Sequence, residues 1–285
     1  MFYIYEKITH VFDPLHHFWE HENLHKKIAS ALIVLFVTSV VAIEFERQGW
    51  LPNFLSAIPN NHFYAVQAAF TVVLILEVIS LIFTIPCSFS KSVGKQFEIF
   101  SLILMRNAFK ELSYFTEPIT YLGNEDAILR ILSNGFGALL IFGLLGVYYM
   151  IQKKNPEDTL SSLEIFAFVS VKKGIALILL SFFMFMGVRS LSFSVLGIPH
   201  NDFLHDFYTV LILADILLVL CSQCFQPSFY AIFRNSGYAL ATLIIRIALA
   251  APPFYNVLLG LAAAIFAILL TFGSNLLFVK SFSKE

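Results

Sequence analysis

Two stretches decide the fold of this chain: IFSLILMRNA at residues 99–108 and ALATLIIRIA at residues 239–248. Each places one arginine inside a long apolar run, and these residues, Arg106 and Arg246, lie 140 positions apart. An ionised side chain at membrane depth costs about 2.5–3.5 kcal/mol even on insertion scales, so it seldom lacks a role. The occurrence of the same costly pattern twice predicts an internal duplication.

The composition around these stretches is that of a membrane protein. The chain has 285 residues, of which 58% are hydrophobic and 13% charged, and its mean hydropathy is +0.79. Soluble domains carry about 25% charged residues, so this chain has roughly half the usual share. Its basic residues occur singly or in pairs, a pattern that argues against nucleic-acid binding.

Apolar runs close to the length needed to cross a bilayer predict an all-α, polytopic fold with about eight transmembrane helices. The predicted spans cover residues 28–46, 63–85, 96–115, 128–151, 174–192, 203–222, 236–251 and 254–279. Twelve lysines and arginines then lie on the side of the N-terminus and four on the other side. Positively charged loops favour the cytoplasm, which predicts a cytoplasmic (inner) membrane with both termini cytoplasmic. The first run is interpreted as a retained helix, not a cleaved signal peptide.

A repeated turn motif supports duplication. IPNNHF at residues 58–63 returns as IPHNDF at residues 198–203, with four of six residues identical. Because each unit holds four helices, the two copies have the same orientation and are parallel repeats. The predicted division is an interfacial amphipathic segment, a first repeat, a cytoplasmic linker and a second repeat, at residues 1–27, 28–154, 155–173 and 174–285. Within the first segment, Asp13 and Pro14 suit the start of a short helix.

Each repeat also contains a candidate charged pair. Glu77 on the second helix precedes Arg106 on the third, and Asp215 precedes Arg246 in the same way. Counting about 1.5 Å per residue from the predicted helix ends places all four near mid-membrane. Two hypotheses follow. The pairs line a transport pathway, or each pair is a buried structural tie that fixes helix register.

Histidine spacing suggests two alternative metal sites. His17, His21 and His25 fall at i, i+4 and i+8, which is one face of a helix and can hold a transition metal. The alternative is an interfacial helix whose histidines meet water. The outer loops bring a second set to one side of the membrane: His62, His200, Asp202 and His205. Ordinary turns and helix caps explain that set equally well.

Two further patterns are weaker. Cys221 and Cys224 form a CxxC at the inner end of a predicted span. This pattern allows a redox or metal role, but the simpler interpretation is that both cysteines are small apolar side chains. Glycines in the last helix of each unit suit close helix packing: Gly135, Gly137, Gly143, Gly146 and Gly260. Whether the protein holds a cofactor is unknown, since no pattern in the sequence strongly implies one.

The sequence therefore favours a small transporter or channel-like protein that uses Glu77, Arg106, Asp215 and Arg246. The alternative is a non-catalytic membrane subunit that anchors or assembles a larger complex, for which the 32 phenylalanines provide helix faces. An enzyme is less favoured, because no Walker loop, GxSxG or HExxH is present; one acting on lipid or quinone is the third hypothesis. The expected partners are the lipid bilayer and other membrane proteins or a second copy, with no nucleic acid.

Overall fold

A computed structural model describes residues 2–49, 61–115, 121–152, 162–196 and 203–275. Within these ranges the fold is entirely helical. The nine α-helices are α1 Phe2–Glu20, α2 Glu22–Arg47, α3 Phe63–Thr84, α4 Phe89–Lys110, α5 Glu125–Ile151, α6 Ser162–Val195, α7 Phe203–Phe225, α8 Phe229–Ala250 and α9 Tyr255–Gly273. A 3-10 turn, Glu111–Tyr114, follows α4.

Seven of these helices, α2, α3 and α5 to α9, are long and apolar enough to cross a membrane. The chain is therefore a helical integral membrane protein. The remaining predicted span coincides with α4, which has 22 residues but carries five charged side chains. Ten α4 residues are buried, because the helix packs against α3, α5, α8 and α9. A helix surrounded by protein need not be uniformly apolar, which explains how α4 tolerates its charges.

Three helices differ from the sequence-based prediction. α1 is one helix that runs through Pro14, although Pro14 was predicted to begin it. Pro14 cannot donate the usual backbone hydrogen bond, a cost of about 3 kcal/mol in a helix interior. The packing of α1 against α6 offsets that cost: Phe12 is buried, and Lys173 Nζ lies 2.6 Å from Asp13 Oδ1. α6 begins at Ser162, where the linker sequence indicates an amphipathic helix over residues 162–171, but it continues without a break through the predicted span at residues 174–192 as one 34-residue helix.

The third difference is the start of α4. The helix begins at Phe89, seven residues before the predicted span, with Ser88 as its N-cap. The Ser88 side chain accepts a hydrogen bond from the backbone N–H of Lys91 at 3.4 Å. A cap of this kind satisfies a backbone donor that the helix leaves open, so the polar first turn forms in spite of Lys91 and Lys95.

Helices from both halves of the chain pack together. α4 contacts α8, α5 contacts α9, and α3 contacts α6. One buried apolar cluster draws on α4, α5, α8 and α9, and another on α1, α3, α6 and α7. Both clusters cross the predicted boundary between the repeats, so α2–α5 (the first unit) and α6–α9 (the second unit) share their cores.

Only some of the predicted glycines mediate this packing. A Cβ at Gly137 would lie 2.5 Å from Val257 Cγ1, and one at Gly260 would lie 3.0 Å from Ile141 Cδ1. A Cβ atom added at Gly135, Gly143 or Gly146 would have no neighbouring atom within 4 Å in the described structure. Close approach of α5 and α9 therefore depends on Gly137 and Gly260 alone among the five.

The contact between α5 and α9 also contains a buried amide pair. Asn256 Nδ2 donates to Asn134 Oδ1 at 2.9 Å, and the two residues are 6% and 2% exposed. Replacing either one by alanine should lower stability, because the other amide loses its partner inside the protein. We expect a double-mutant cycle on Asn134→Ala and Asn256→Ala, measured by unfolding in detergent, to give a coupling energy of about 0.6–1.7 kcal/mol. Strict additivity of the two losses would contradict the hydrogen bond.

Candidate functional site

The structure brings Asp215 and Arg246 together between α7 and α8. Arg246 Nε lies 2.8 Å from Asp215 Oδ2, and the Arg246 side chain is 3% exposed. The Thr242 hydroxyl lies 3.0 Å from the same carboxylate oxygen and 2.8 Å from the carbonyl of Ala239. Within the described structure Arg246 Nη1 is buried with no hydrogen-bond partner. In the described structure, Arg246 therefore neutralises the Asp215 carboxylate through Nε, while its Nη1 group remains a hydrogen-bond donor without an acceptor.

The first unit does not repeat this geometry. No ion pair joins Glu77 to Arg106, both of which lie in described helices. Arg106 Nη1 instead donates to the carbonyl of Phe70 on α3 at 3.2 Å, and Nη2 donates to Asn107 Oδ1 at 3.4 Å. Oε2 of Glu77 is buried without a hydrogen-bond partner in the part of the chain described. The acids and arginines at corresponding positions of the two predicted repeats therefore make different contacts.

Both arginines lie far from the middle of their helices. Arg106 precedes the last residue of α4, Lys110, by about one helical turn, and Arg246 precedes the end of α8, Ala250, by the same amount. At about 1.5 Å per residue, each lies about 6 Å from that end along the axis. α4 and α8 each begin seven residues before the predicted spans, and the mid-membrane position of the two arginines stays a prediction. A cation near a helix C-terminus is favoured by the helix dipole, which lowers the cost of these sites.

A polar stripe runs along α8 and ends at the ion pair. Asn235, Tyr238, Thr242 and Arg246 are each 5% exposed or less. Their spacing of three or four residues places them on one helical face. This stripe was visible in the sequence as helical periodicity of polar residues within an apolar run. The charged residues alone do not predict it, because three of its four members are uncharged.

The stripe leads into a cavity of about 480 Å³. α3 and α7 terminate, and α4 and α8 begin, on the same side of the molecule, which we call the basic end. Lys91, Lys172 and Arg234 line the cavity there, and we call that cavity the basic vestibule. Cys87 and Lys91 also line the vestibule and are exposed, so it reaches the protein surface. Burial raises the pKa of the Cys87 thiol, although Lys91 and Lys172 oppose that shift.

Several hydrogen bonds hold the vestibule walls. Tyr148 donates to the carbonyl of Ser90 at 2.8 Å, and Gln152 Nε2 donates to the Ser90 hydroxyl at 2.6 Å. These bonds tie the start of α4 to the end of α5. On the other wall the Tyr238 hydroxyl lies 3.0 Å from Thr271 Oγ1. The vestibule is therefore framed by both units.

Two small, separate cavities lie beyond the vestibule along α4 and α8. The first, about 20 Å³, is lined by Lys172, Gln96 and Asp215, among others, and shares Lys172 with the vestibule. The second, about 10 Å³, is lined by Gln96 and Arg246. Each has about the space that a single water molecule needs. Glu77 and Arg106 line none of these three cavities.

The predicted metal ligands do not assemble among the described residues. His17 lies in the last turn of α1, His21 is the N-cap of α2 and His25 lies within α2, so the three do not share one helix face. No group of three or more metal-ligating side chains occurs in the described ranges. In the second set, His62 lies 3.1 Å from Glu44 Oε2. His200 and Asp202, together with the side chain of His205, fall outside the described residues. Cys221 and Cys224 are both free.

Comparison with protein-family models, curated proteins and solved structures gave no match. The geometry of the vestibule, the stripe and the ion pair therefore carries the functional argument.

Proposed function

We propose that this chain is a small transporter or channel-like membrane protein whose route follows the polar stripe of α8 between the two units. The observation that carries the proposal is the basic vestibule and the two small cavities beyond it at the Asp215–Arg246 pair. Buried polar side chains are costly in a membrane protein and commonly mark a pathway for an ion or substrate. The vestibule opens at the basic end, which the charge distribution of the chain predicts to be cytoplasmic.

Internal duplication supports this proposal. The proposed units contact through related helices, since α4 packs on α8 and α5 packs on α9. Asn134 and Asn256, which hydrogen-bond to each other, each precede the last residue of their helix by 17 positions, although Asn134 is the tenth residue of α5 and Asn256 the second residue of α9. Contacts between equivalent surfaces are typical of a two-fold axis, and a parallel repeat places that axis along the membrane normal. Transport sites commonly lie at such an interface.

The test is whether the narrow part of the route opens to both sides of the membrane. Gln96 lines both small cavities and is 5% exposed. In proteoliposomes made with a chain whose Cys87, Cys221 and Cys224 are replaced by alanine, we expect Gln96→Cys to react with a membrane-impermeant methanethiosulfonate from either side. The matched control is Ser101→Cys, because Ser101 is also buried on α4 and lines none of the three cavities. A route predicts a rate at least about tenfold above that control on both sides, since only a transient opening admits the reagent.

Labelling of Gln96→Cys from neither side, or at the control rate, would overturn the proposal. Labelling from the basic end alone would also overturn it, because the cavities would then be a closed binding pocket.

The second candidate is a non-catalytic membrane subunit that anchors a larger complex. It is favoured by α2, in which Ile43 is the one buried residue, and which packs mainly against α3. Such a helix has a long face open to lipid, a second copy or a partner helix. This candidate predicts that Gln96→Cys stays unlabelled while the chain migrates in native gels as an assembly of fixed mass.

A further inference from the structure

Glu77 lies within α3, one of the helices long and apolar enough to cross a membrane. It precedes the last residue of α3, Thr84, by seven positions, or about 10 Å along the helix axis. Its Oε2 is buried and has no hydrogen-bond partner among the described residues. We propose that Glu77 is a proton-binding site: its carboxyl is neutral in this structure, and loss of the proton lets Arg106 form an ion pair with it.

The surroundings of Glu77 on the face of α3 that meets α4 are apolar. Leu74 and Leu81 lie one turn before and one turn after it on the same helix face. Leu81 belongs to a small buried cluster with Ile99 and Ile103 of α4, and Leu74 packs against that cluster. A carboxylate without a partner is costly in such surroundings, and a carboxyl group in this position becomes neutral instead. These contacts therefore stabilise the protonated side chain.

The second unit shows how an acid and an arginine are arranged when both are charged. Arg246 Nε lies 2.8 Å from Asp215 Oδ2, a distance typical of a charge-assisted hydrogen bond. Arg106, at the corresponding position of the first predicted repeat, instead donates through Nη1 to the carbonyl of Phe70 at 3.2 Å. An arginine next to an ionised carboxylate would prefer the carboxylate as acceptor. The contact of Arg106 with a backbone carbonyl therefore agrees with a neutral Glu77.

Arg106 is close enough to complete the arrangement seen in the second unit. Phe70 precedes Glu77 by seven residues, so both lie on one face of α3, about two turns apart. Helix carbonyls point toward the helix C-terminus, so the Phe70 oxygen lies on the side of Glu77. When Glu77 ionises, its proton passes to water and Arg106 exchanges the carbonyl for the carboxylate. Proton binding reverses both steps and so changes a contact between α3 and α4.

Few other charges influence this site. Among the described residues Arg106 is the charged group that acts on Glu77, and Tyr208 of α7 acts in turn on Arg106. α3 also packs against α2, the 3-10 turn and α6. Charged groups on these elements contact other partners, in the pairs Glu44–His62, Glu111–Arg130, Lys172–Cys87 and Lys173–Asp13. Protonation of Glu77 therefore depends on its apolar neighbours and on Arg106.

Dicyclohexylcarbodiimide tests the protonation of Glu77 in the intact chain. This apolar reagent enters the bilayer and adds a protonated carboxyl across its C=N bond, and the resulting acylurea is measured by peptide mass spectrometry. In proteoliposomes we expect Glu77 to be modified at about pH 6 and at least about tenfold more slowly at about pH 9, because only the protonated form reacts. Asp215 is the matched control in the same chain, since its pairing with Arg246 keeps it ionised and unmodified. Faster modification of Asp215, or a Glu77 rate that does not fall with pH, would overturn the inference.

If the reagent reaches neither carboxyl, infrared spectroscopy decides the question. The carbonyl stretching band of a protonated side-chain carboxyl should be present at about pH 6, decrease by about pH 9 and be missing from Glu77→Gln. Asp215→Asn is the control and should leave this band unchanged. Absence of a band that depends on Glu77 would overturn the inference.

Arg106→Met tests the ion pair that forms when the proton leaves. Without that partner the ionised form of Glu77 is less favourable, so we expect carbodiimide modification at about pH 9 to rise severalfold, whereas Arg106→Lys should retain the rate of the unaltered chain. Lys110→Gln is the matched control, because it removes a positive charge one turn later on the same helix. An unchanged rate in Arg106→Met would overturn the pairing. These results are independent of the labelling of Gln96→Cys, because Glu77 lines none of the three cavities of the proposed route.

Discussion

Arg246→Met is expected to lower the free energy of unfolding by about 3–5 kcal/mol, the range typical of breaking one partner of a buried ion pair. The Asp215 carboxylate would lose its 2.8 Å contact with Arg246 Nε and keep only the Thr242 hydroxyl nearby. An uncompensated carboxylate at that depth is costly. The loss can be measured by thermal or dodecyl-sulfate unfolding of the purified chain in detergent.

The matched control is Arg106→Met, at the related position of the first unit. Arg106 hydrogen-bonds a helix carbonyl and Asn107 but forms no ion pair among the described residues, so its loss should cost about 1–2 kcal/mol. Adding Asp215→Asn to Arg246→Met should recover part of the loss, because the carboxylate is then neutral. Equal losses for the two arginines, or no recovery in the double variant, would contradict the ion pair as the source of the difference.

Gly260→Val is expected to cost about 1–3 kcal/mol or more, as overpacking of a filled core does. A Cβ at this position would lie 2.8 Å from Phe100 Cζ, closer still to Phe100 Cε1, and 3.0 Å from Ile141 Cδ1. Phe100 is 1% exposed and Ile141 is fully buried, so neither side chain has space into which to move. The same unfolding measurement should show the loss as a lower melting temperature.

Gly143→Ala supplies the control for this prediction. Gly143 lies on α5 with nothing within 4 Å of its Cβ direction in the described structure. Alanine there should be neutral or stabilise by up to about 1 kcal/mol, because glycine disfavours the helical state. A loss at Gly143 as large as that at Gly260 would contradict the prediction, because the loss at Gly260 could then not be assigned to its contacts with Phe100 and Ile141.

The sequence predicted the all-helical membrane fold well, because length and apolar composition determine which segments cross a bilayer. The start of α4 escaped that reasoning, since hydropathy penalises Lys91 and Lys95, whereas a helix needs only a cap and backbone hydrogen bonds. The depths of Arg106 and Arg246 were counted from span starts that lie seven residues after the starts of α4 and α8, so their mid-membrane position stays a prediction. Helix boundaries therefore limited the site prediction more than the identification of the spans did.

Lateral packing accounts for the remaining differences. The order of residues places an acid before each arginine, but only the rotation and tilt of two helices decide whether the side chains meet. Asp215 reaches Arg246, whereas Glu77 and Arg106 form no ion pair. The vestibule lay beyond prediction for the same reason, since it joins residues from α4, α5, α6, α8 and α9. The buried polar stripe on α8 could have been predicted from the sequence, because all of its residues belong to one helix.

The buried amide pair between α5 and α9 has a consequence for the ancestry of such a molecule. An asparagine carries both donor and acceptor in one side chain, so two identical copies can satisfy each other across a symmetry axis. Asn134 and Asn256 lie 122 positions apart, compared with 140 for the two arginines, so they correspond only when α5 and α9 are aligned at their last residues. With that alignment, and under the proposed duplication, a single four-helix polypeptide would contain one such asparagine and would contact a second copy of itself through it. Asn134 and Asn256 would then derive from the interface of an ancestral homodimer, which became an intramolecular contact when two gene copies fused.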